Sequence, residues 1–159
     1  MKNNRLLIIL CTILVFFIGI ICFLIIDIKN KETFKKIDFD KNTLVEIPDN
    51  IVYENSILNI VEGYSIYISP SPKIVKDNYL KIDFISLDTN DIWIKVRLLD
   101  EKNNIIGETG LVKAGEYLEK VKLTRNVEVG DKITYKIMGY EIDSYLSAGS
   151  VSLNTRIGE

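Results

Sequence analysis

The clearest pattern in this chain is an alternation of apolar and polar residues. In the stretch 92–99, IWIKVRLL, every second residue is aliphatic, and Trp93, Lys95 and Arg97 lie between them. A period of two predicts a β-strand with one buried face and one outward face. The only tryptophan of the chain is therefore predicted to lie on the outward face.

Similar short runs rich in Ile, Val, Tyr and Leu recur along the chain, separated by turn residues and without a long helical pattern between them. They lie at 64–69, 80–84, 92–99, 105–110, 117–123, 133–137 and 150–157, with one or two more in 44–61. Such a series predicts an all-β fold, specifically an immunoglobulin-like antiparallel β-sandwich. Because the Cys–Trp–Cys arrangement of antibody domains is absent, the prediction concerns architecture only.

A different pattern occupies the amino terminus. Residues 6–26, LLIILCTILVFFIGIICFLII, contain no charged residue. As a helix they would span about 31 Å, close to the roughly 30 Å hydrocarbon core of a bilayer. We expect one transmembrane helix there, in contact with membrane lipid. Because no small-residue cleavage site follows it, an uncleaved anchor is favoured over a cleaved signal peptide.

These patterns divide the chain into a short tail at 1–5, a transmembrane helix at 6–26, a charged juxtamembrane linker at 27–42 and a β-sandwich domain at 43–159. The first 36 residues carry six basic and two acidic residues, whereas residues 37–159 carry fourteen basic and twenty acidic residues. An acidic domain lacks the basic footprint that nucleic-acid binding requires, so no nucleic-acid partner is expected.

The orientation of the anchor depends on weaker signals. Four lysines at 29–36 outnumber Lys2 and Arg5 on the other side, which favours a cytoplasmic carboxyl-terminal domain. Long domains, however, translocate largely regardless of flanking charge, and this domain contains no cysteine. We expect the domain outside the cytoplasm, in a single-pass protein of the cell membrane, and the lysine count keeps the opposite orientation open.

The sequence lacks most catalytic machinery. It has no histidine, which removes Ser–His–Asp and Cys–His nucleophiles and the commonest zinc ligand. Cys11 and Cys22 lie in the apolar segment, where packing explains them better than redox chemistry or palmitoylation. We expect no enzymatic activity, catalytic residue, metal site or cofactor. A carboxylate-only glycosidase remains an alternative, with these candidates near predicted turns: Asp88, Asp91, Asp100, Glu101, Glu116 and Glu119.

The outward face of the 92–99 strand is a candidate binding surface. Trp and Arg carry much of the energy at protein interfaces, which makes Trp93, Lys95 and Arg97 candidate binding residues, with the cations placed to stack near the ring. Two alternatives give Trp93 no binding role. A neighbouring segment such as 41–61 covers it, or a register shift places it in the core.

A second candidate surface is the stretch 139–150, which lies between two strong strands and contributes Tyr140 and Tyr145. Its glycines permit tight bends or close backbone approach. A partner would dock here by adding a strand to the sheet edge. A long hairpin loop without a partner fits the sequence equally well.

The stretches VRLLDEKNNIIGETGLVKAGEY at 96–117 and MGYEIDSYLSAGSVSLNT at 138–155 resemble the ectodomains of small single-pass proteins of low-GC Gram-positive bacteria. Proteins of this kind pair one amino-terminal membrane helix with one small β-sandwich, and the resemblance implies a place in the cell envelope or on a mobile element. It implies no functional residues.

Together these observations predict a non-enzymatic, membrane-anchored envelope protein whose extracytoplasmic sandwich binds a protein partner or assembly. The alternative is a module that binds carbohydrate or a cell-wall polymer through aromatic faces such as that of Trp93.

Overall fold

The chain divides into two compact units, Met1–Lys36 and Ile37–Glu159. The computed structural model describes residues 14, 16–21, 37–51, 56–60 and 63–159. In the first unit, residues 14 and 16–21 are helical and exposed. The second unit begins at Ile37, ahead of the predicted domain start at 43.

The predicted tail at 1–5, most of the predicted transmembrane helix at 6–26, and the predicted linker up to residue 36 lie outside the described residues. Among the residues that are described, no helix has the length and apolar character needed to cross a membrane. The anchor therefore stays a prediction from the sequence.

In the second unit, the described residues form nine strands in two antiparallel sheets. The strands are β1 (Leu58–Asn59), β2 (Ser65–Tyr67), β3 (Lys73–Val75), β4 (Tyr79–Ser86), β5 (Ile92–Asp100), β6 (Ile105–Glu108), β7 (Tyr117–Lys122), β8 (Lys132–Glu141) and β9 (Ser147–Arg156). One sheet has the order β6-β5-β8-β9. In the other, β7 pairs with one edge of β4, while β2 and β3 share its opposite edge and β1 continues beyond β2.

The two sheets pack face to face through every second residue of their strands. The central strands β4 and β5 contribute side chains with 0% exposure to one hydrophobic core. These residues are Leu80, Ile82, Phe84, Ile94, Val96 and Leu98. Because burial of apolar area is the main stabilising term in folding, this period of two fixes which face of each strand lies inside. The predicted all-β antiparallel sandwich is confirmed.

Backbone contacts tie the two sheets together at their margins. On one side, Gly107 of β6 bridges to Leu123, and the Thr124 N–H donates to the Ile106 carbonyl at 2.8 Å. On the other side, the end of β9 is tied to the segment before β3, since the Gly158 N–H donates to the Pro72 carbonyl at 2.8 Å. Among the described residues, no other backbone hydrogen bond links the two sheets farther along this second margin.

The stretch 139–150 is mostly strand, so the alternative of a long hairpin loop is wrong. Only residues 142–146 connect β8 to β9. The register shifts between Met138 and Tyr140, which leaves a bulge on β9, and Gly149 there has a φ of 99°. Glycine adopts this left-handed conformation without steric cost, so the chain stays in the sheet across the bulge.

Candidate functional site

Trp93 lies on the outer face of β5, as the alternation predicts. Ile94 and Val96 point into the core with 0% exposure, and Trp93, Lys95 and Arg97 occupy the opposite face. The alternative in which a register shift buries Trp93 in the core is therefore wrong. Trp93 is nevertheless half-buried, because other side chains cover part of it.

Two aromatic rings in the described part of the chain contact the Trp93 indole. The Phe39 ring meets it edge to face, with centroids 4.8 Å apart and planes at 82°. The Tyr145 ring lies at a tilt of 58° with a centroid distance of 5.0 Å. Both geometries are favourable for aromatic pairs. Phe39, Trp93 and Tyr145 together are called the aromatic cluster below.

Phe39 reaches Trp93 because the chain from 38 to 40 pairs with residues 110–112. The Asp40 N–H donates to the Leu111 carbonyl at 2.9 Å, and the Leu111 N–H donates to the Asp38 carbonyl at 2.9 Å. The Gly110 N–H donates to Asp40 Oδ2, also at 2.9 Å. Part of the cover on Trp93 therefore comes from this segment, which lies just before the predicted 41–61.

Gly110 permits this pairing for a steric reason. A Cβ atom at Gly110 would lie 2.4 Å from the Asp40 backbone nitrogen, a distance that real side chains do not reach. The absence of a side chain thus lets the two backbones approach. Beside this contact, the Lys113 ammonium lies 4.7 Å from the centroid of the Phe39 ring, at cation–π distance.

Tyr145 is placed by an unusual backbone conformation in the β8–β9 loop. Its φ is 56° and that of Asp143 is 66°, so two non-glycine residues are left-handed. This conformation costs about 1–2 kcal/mol for each L-residue. Hydrogen bonds hold it, since the Tyr145 N–H donates to the Glu141 carbonyl at 3.1 Å and Ser144 Oγ donates to Glu141 Oε2 at 2.8 Å.

Lys95 and Arg97 do not stack on Trp93. Instead, Lys95 Nζ lies 3.1 Å and Arg97 Nε 3.0 Å from Glu108 Oε2 on the neighbouring strand β6. Burial acts to raise the pKa of the Glu108 carboxyl, but the hydrogen bonds and charges of Lys95 and Arg97 outweigh it and lower the pKa overall. These three residues form an ionic cluster beside the aromatic one.

Tyr140 completes the outer face. It is the cross-strand neighbour of Trp93 on β8, and its hydroxyl lies 3.9 Å from Met138 Sδ. All five predicted binding residues thus share one face: Trp93, Lys95, Arg97, Tyr140 and Tyr145. The sequence did not indicate Phe39 and Glu108, because both reach this face through pairing with distant segments.

Asp100, one of the acidic residues named as catalytic alternatives, has structural partners. Asp100 Oδ1 accepts hydrogen bonds from the N–H groups of Lys102 at 2.9 Å and Asn104 at 2.8 Å, and Asp100 Oδ2 lies 3.0 Å from Arg125 Nη2. These contacts shape the β5–β6 turn. Within the described part of the chain, no group of three His, Cys, Asp or Glu side chains is placed to hold a metal ion.

An open groove of about 520 Å³ lies at the other end of β5, lined by residues that include Asp100, Glu101, Lys132 and Arg156. Its charged groups are paired. Lys132 Nζ lies 3.6 Å from Glu101 Oε1, and Arg156 Nη1 donates to the Gly130 carbonyl at 3.1 Å. The aromatic cluster is therefore the stronger candidate site.

No protein-family model matches this chain, and no curated protein is similar to it in sequence. Among solved structures, it is similar to β-glucuronidase from Ruminococcus gnavus in complex with uronic isofagomine, with 18% identity, a TM-score of 0.38, and coverage of 58% of this chain and 15% of that chain. The apo structure of the same enzyme gives 18% identity, a TM-score of 0.37, and coverage of 60% and 16%. The chain thus spans only a small part of that enzyme.

Proposed function

We propose that this chain is a non-enzymatic, membrane-anchored protein of the cell envelope whose extracytoplasmic β-sandwich binds a protein partner. The observation that carries the proposal is the aromatic cluster and its surroundings. Ile142 and Leu146, in the loop that holds Tyr145, are 46% and 50% exposed. Aromatic anchors beside exposed aliphatic side chains are typical of the energetic centre of a protein interface.

The cluster suits a protein surface better than a sugar ring. A sugar-binding platform needs one broad open face of an aromatic ring. Trp93 is half-buried and has two other rings within 5.0 Å. Tyr145, which contacts Trp93, lies in the loop that also carries the exposed side chains of Ile142 and Leu146. Binding to a wall polymer through Trp93 is therefore the second candidate, and the experiment below separates the two.

The sandwich is immunoglobulin-like in this proposal. Support comes from the strand order, in which β4 lies between β7 and the pair β2 and β3, and the facing sheet runs β6-β5-β8-β9. Immunoglobulin sandwiches place their second strand between the first and fifth strands and their sixth strand between the third and seventh. Domains of this architecture commonly act as interaction modules, although fold alone does not define function.

The anchor is the apolar segment 6–26, and the acidic domain lies outside the membrane in the envelope of a low-GC Gram-positive bacterium. Support comes from the uncharged length of the segment and from the resemblance of the stretches 96–117 and 138–155. The partner is a protein of the same envelope, and no nucleic acid is bound.

Site-specific photocrosslinking in intact cells tests the proposal. A benzophenone amino acid is placed at Ile142, beside the aromatic cluster, and in a matched variant at Val129, which is 56% exposed in a different loop. We expect a discrete protein adduct from position 142 and none from position 129. Adding Trp93→Ala should remove the adduct at 142 while the chain still accumulates.

Four results would overturn the proposal. No adduct at 142, or equal adducts at both positions, would mean that this surface has no specific protein partner. Retention of the protein on purified wall material, lost in Trp93→Ala and without any protein adduct, would replace protein binding with polymer binding. An adduct of twice the mass of the chain would indicate self-contact instead of an envelope partner.

A further inference from the structure

The outer edge of β9 is the longest unpaired strand edge in the described structure. β9 lies at the end of its sheet, and β8 is its only partner among the described strands. One end of β9 is covered, because the Thr155 hydroxyl donates to the Pro70 carbonyl. The bulge at Gly149 interrupts the other end. Among the described residues, no backbone partner lies on the outer edge of residues 150–154.

The other edges in the described sheets are protected. β1, β3 and β6 contain only two, three and four residues. β7 is covered at Tyr117, whose N–H donates to the Leu44 carbonyl at 2.8 Å. Native proteins usually also guard long edges with charge or proline. The open stretch of β9 has neither, since residues 144–155 contain no charged residue and no proline, and the charged residue of β9, Arg156, lies at its covered end.

We infer that this edge pairs with the same edge of a second copy of the chain. The two β9 strands run antiparallel across a two-fold axis at Ser152, which joins the two four-stranded sheets into one continuous sheet. Backbone hydrogen bonds supply most of the contact, as in other strand-addition complexes. This inference goes beyond the proposed function, because it uses a different surface from the aromatic cluster.

The side chains of β9 are complementary to themselves in this register. Val151 and Leu153 pack against the core, whereas Ser150, Ser152 and Asn154 are exposed on the other face. With the axis at Ser152, Val151 of one copy lies opposite Leu153 of the other, and Ser150 lies opposite Asn154. Apolar residues thus meet apolar residues and small polar residues meet small polar residues. If one strand shifts by one residue along the other, apolar residues lie opposite polar residues and the match is lost.

The absence of charge on this edge favours a second copy of the chain over a partner with a charged strand. The paired edges carry no charge, so identical strands meet without local repulsion. The nearest cation on the adjacent strand is Lys136, the β8 partner of Ser152. The two Lys136 residues would be three strand spacings apart, about 14 Å. This exceeds the Debye length of about 8 Å at physiological ionic strength.

Disulfide crosslinking of the full-length chain tests the inference. Cys11 and Cys22 are first replaced by alanine, and Ser152→Cys is added. Paired residues on antiparallel strands have Cα atoms about 4.5 or 5.5 Å apart, within the range of about 4.4–6.8 Å that a disulfide accepts. Oxidation of membranes that contain this variant should give a covalent species of twice the chain mass, which a reductant removes.

Ser150→Cys is the matched control. The two introduced cysteines at position 150 would be offset by four positions, about 13 Å along the strands, which is too far for a disulfide. We expect at least about tenfold less dimer from it than from Ser152→Cys, and a restored yield when Ser150→Cys and Asn154→Cys chains are mixed. No dimer at 152, equal yields at 150 and 152, or only adducts of other masses would overturn the inference.

A second measurement tests the inference even if the cysteine variants do not fold. Ser152→Lys places two ammonium groups at the two-fold axis and should reduce the dimer fraction of the purified full-length chain at least about tenfold in sedimentation. Ser147→Lys adds the same charge to the same strand outside the paired stretch and should leave the dimer intact. A monomeric wild-type chain overturns the inference and leaves the crosslink expected at Ile142 unaffected.

Discussion

Phe39 and Trp93 meet edge to face with their ring centroids 4.8 Å apart, and this contact joins the segment that enters the domain to the central strand of one sheet. Phe39 belongs to no strand of either sheet, and the hydrogen bonds of the neighbouring Asp38 and Asp40 hold it in position. The aromatic cluster therefore depends on packing between parts of the chain that are far apart in sequence.

Loss of either ring should destabilise the domain, and the two losses should not add. Phe39→Ala and Trp93→Ala should each lower the free energy of unfolding by about 1–3 kcal/mol, less than for a full core position because Trp93 is only half-buried. The double variant should show a coupling of about 0.5–1.5 kcal/mol. Urea unfolding followed by circular dichroism measures all three. Strict additivity would mean that the rings do not stabilise each other.

Gly110→Ala should release the entering segment from the sandwich. The new Cβ would lie 2.4 Å from the Asp40 nitrogen and 2.7 Å from the Phe39 carbonyl carbon, both rigid backbone atoms. We expect faster amide exchange at residues 38–44, with the exchange rates of β8 and β9 unchanged. At Gly139→Ala, the closest atom is the Ile92 Cδ1 at 2.7 Å, which can rotate away. Equal exchange at 38–44 in both variants would contradict this account.

The sequence predicts the local part of this architecture correctly. Alternation depends only on neighbouring residues, so it identifies the inward face of β5 and the outward position of Trp93. The same local signal fails where pairing is decided by distant segments. β3 spans only three residues after Pro72 and exists because it pairs with β4, and no alternation of that length is informative.

In the candidate site, too, local patterns identify some residues, whereas others depend on pairing between distant segments. Tyr140 and Tyr145 could be selected as rings near a predicted turn, whereas Phe39 falls in a stretch whose charge predicted a linker. Nothing in the sequence distinguishes Glu108, and only the pairing of β5 with β6 brings it opposite Arg97. Register between strands is a tertiary property, so the partners of the two cations follow from the fold and not from composition.

Glu108→Gln should cost stability because it leaves Lys95 without a counter-ion. The Lys95 side chain is only 10% exposed, and its ammonium lies 3.1 Å from the Glu108 carboxylate. Removal of a charged partner from a mostly buried group costs about 1–3 kcal/mol. Replacing both residues, as Lys95→Met with Glu108→Gln, should recover most of this loss. The free energy of unfolding, measured in urea, tests this expectation. A double variant that is no more stable than Glu108→Gln alone would contradict the pairing of Lys95 with Glu108.

Asp100 should make the domain sensitive to acid. The side-chain hydrogen bond from Asn104 is the main cause that lowers the pKa of the Asp100 carboxyl, with further backbone hydrogen bonds and the charge of Arg125. A carboxyl with a lowered folded-state pKa stabilises the fold above its unfolded pKa of about 3.9 and loses that effect as pH falls through the folded value. Asp100→Asn should therefore be less stable than wild type at pH 7, and the gap should close at the lowest pH.

Urea unfolding of both proteins across the acid range measures this gap. Asn104→Ala serves as an independent check, since it keeps the carboxylate but removes the main cause of the lowered pKa. The stability of Asn104→Ala should therefore depend less on pH than the stability of wild type. A constant difference between wild type and Asp100→Asn at all pH values would show that Asp100 contributes through shape alone.

The orientation of the chain is best tested by protease treatment of intact protoplasts that express the protein with a tag after Glu159. Glu159 is exposed, so a tag there would be cleavable even while the folded sandwich resists digestion. If the domain is extracytoplasmic, the tag is lost from intact protoplasts while a cytoplasmic marker protein survives. If the tag survives until lysis, the four lysines at 29–36 set the orientation by the positive-inside rule, and the partner must be sought in the cytoplasm.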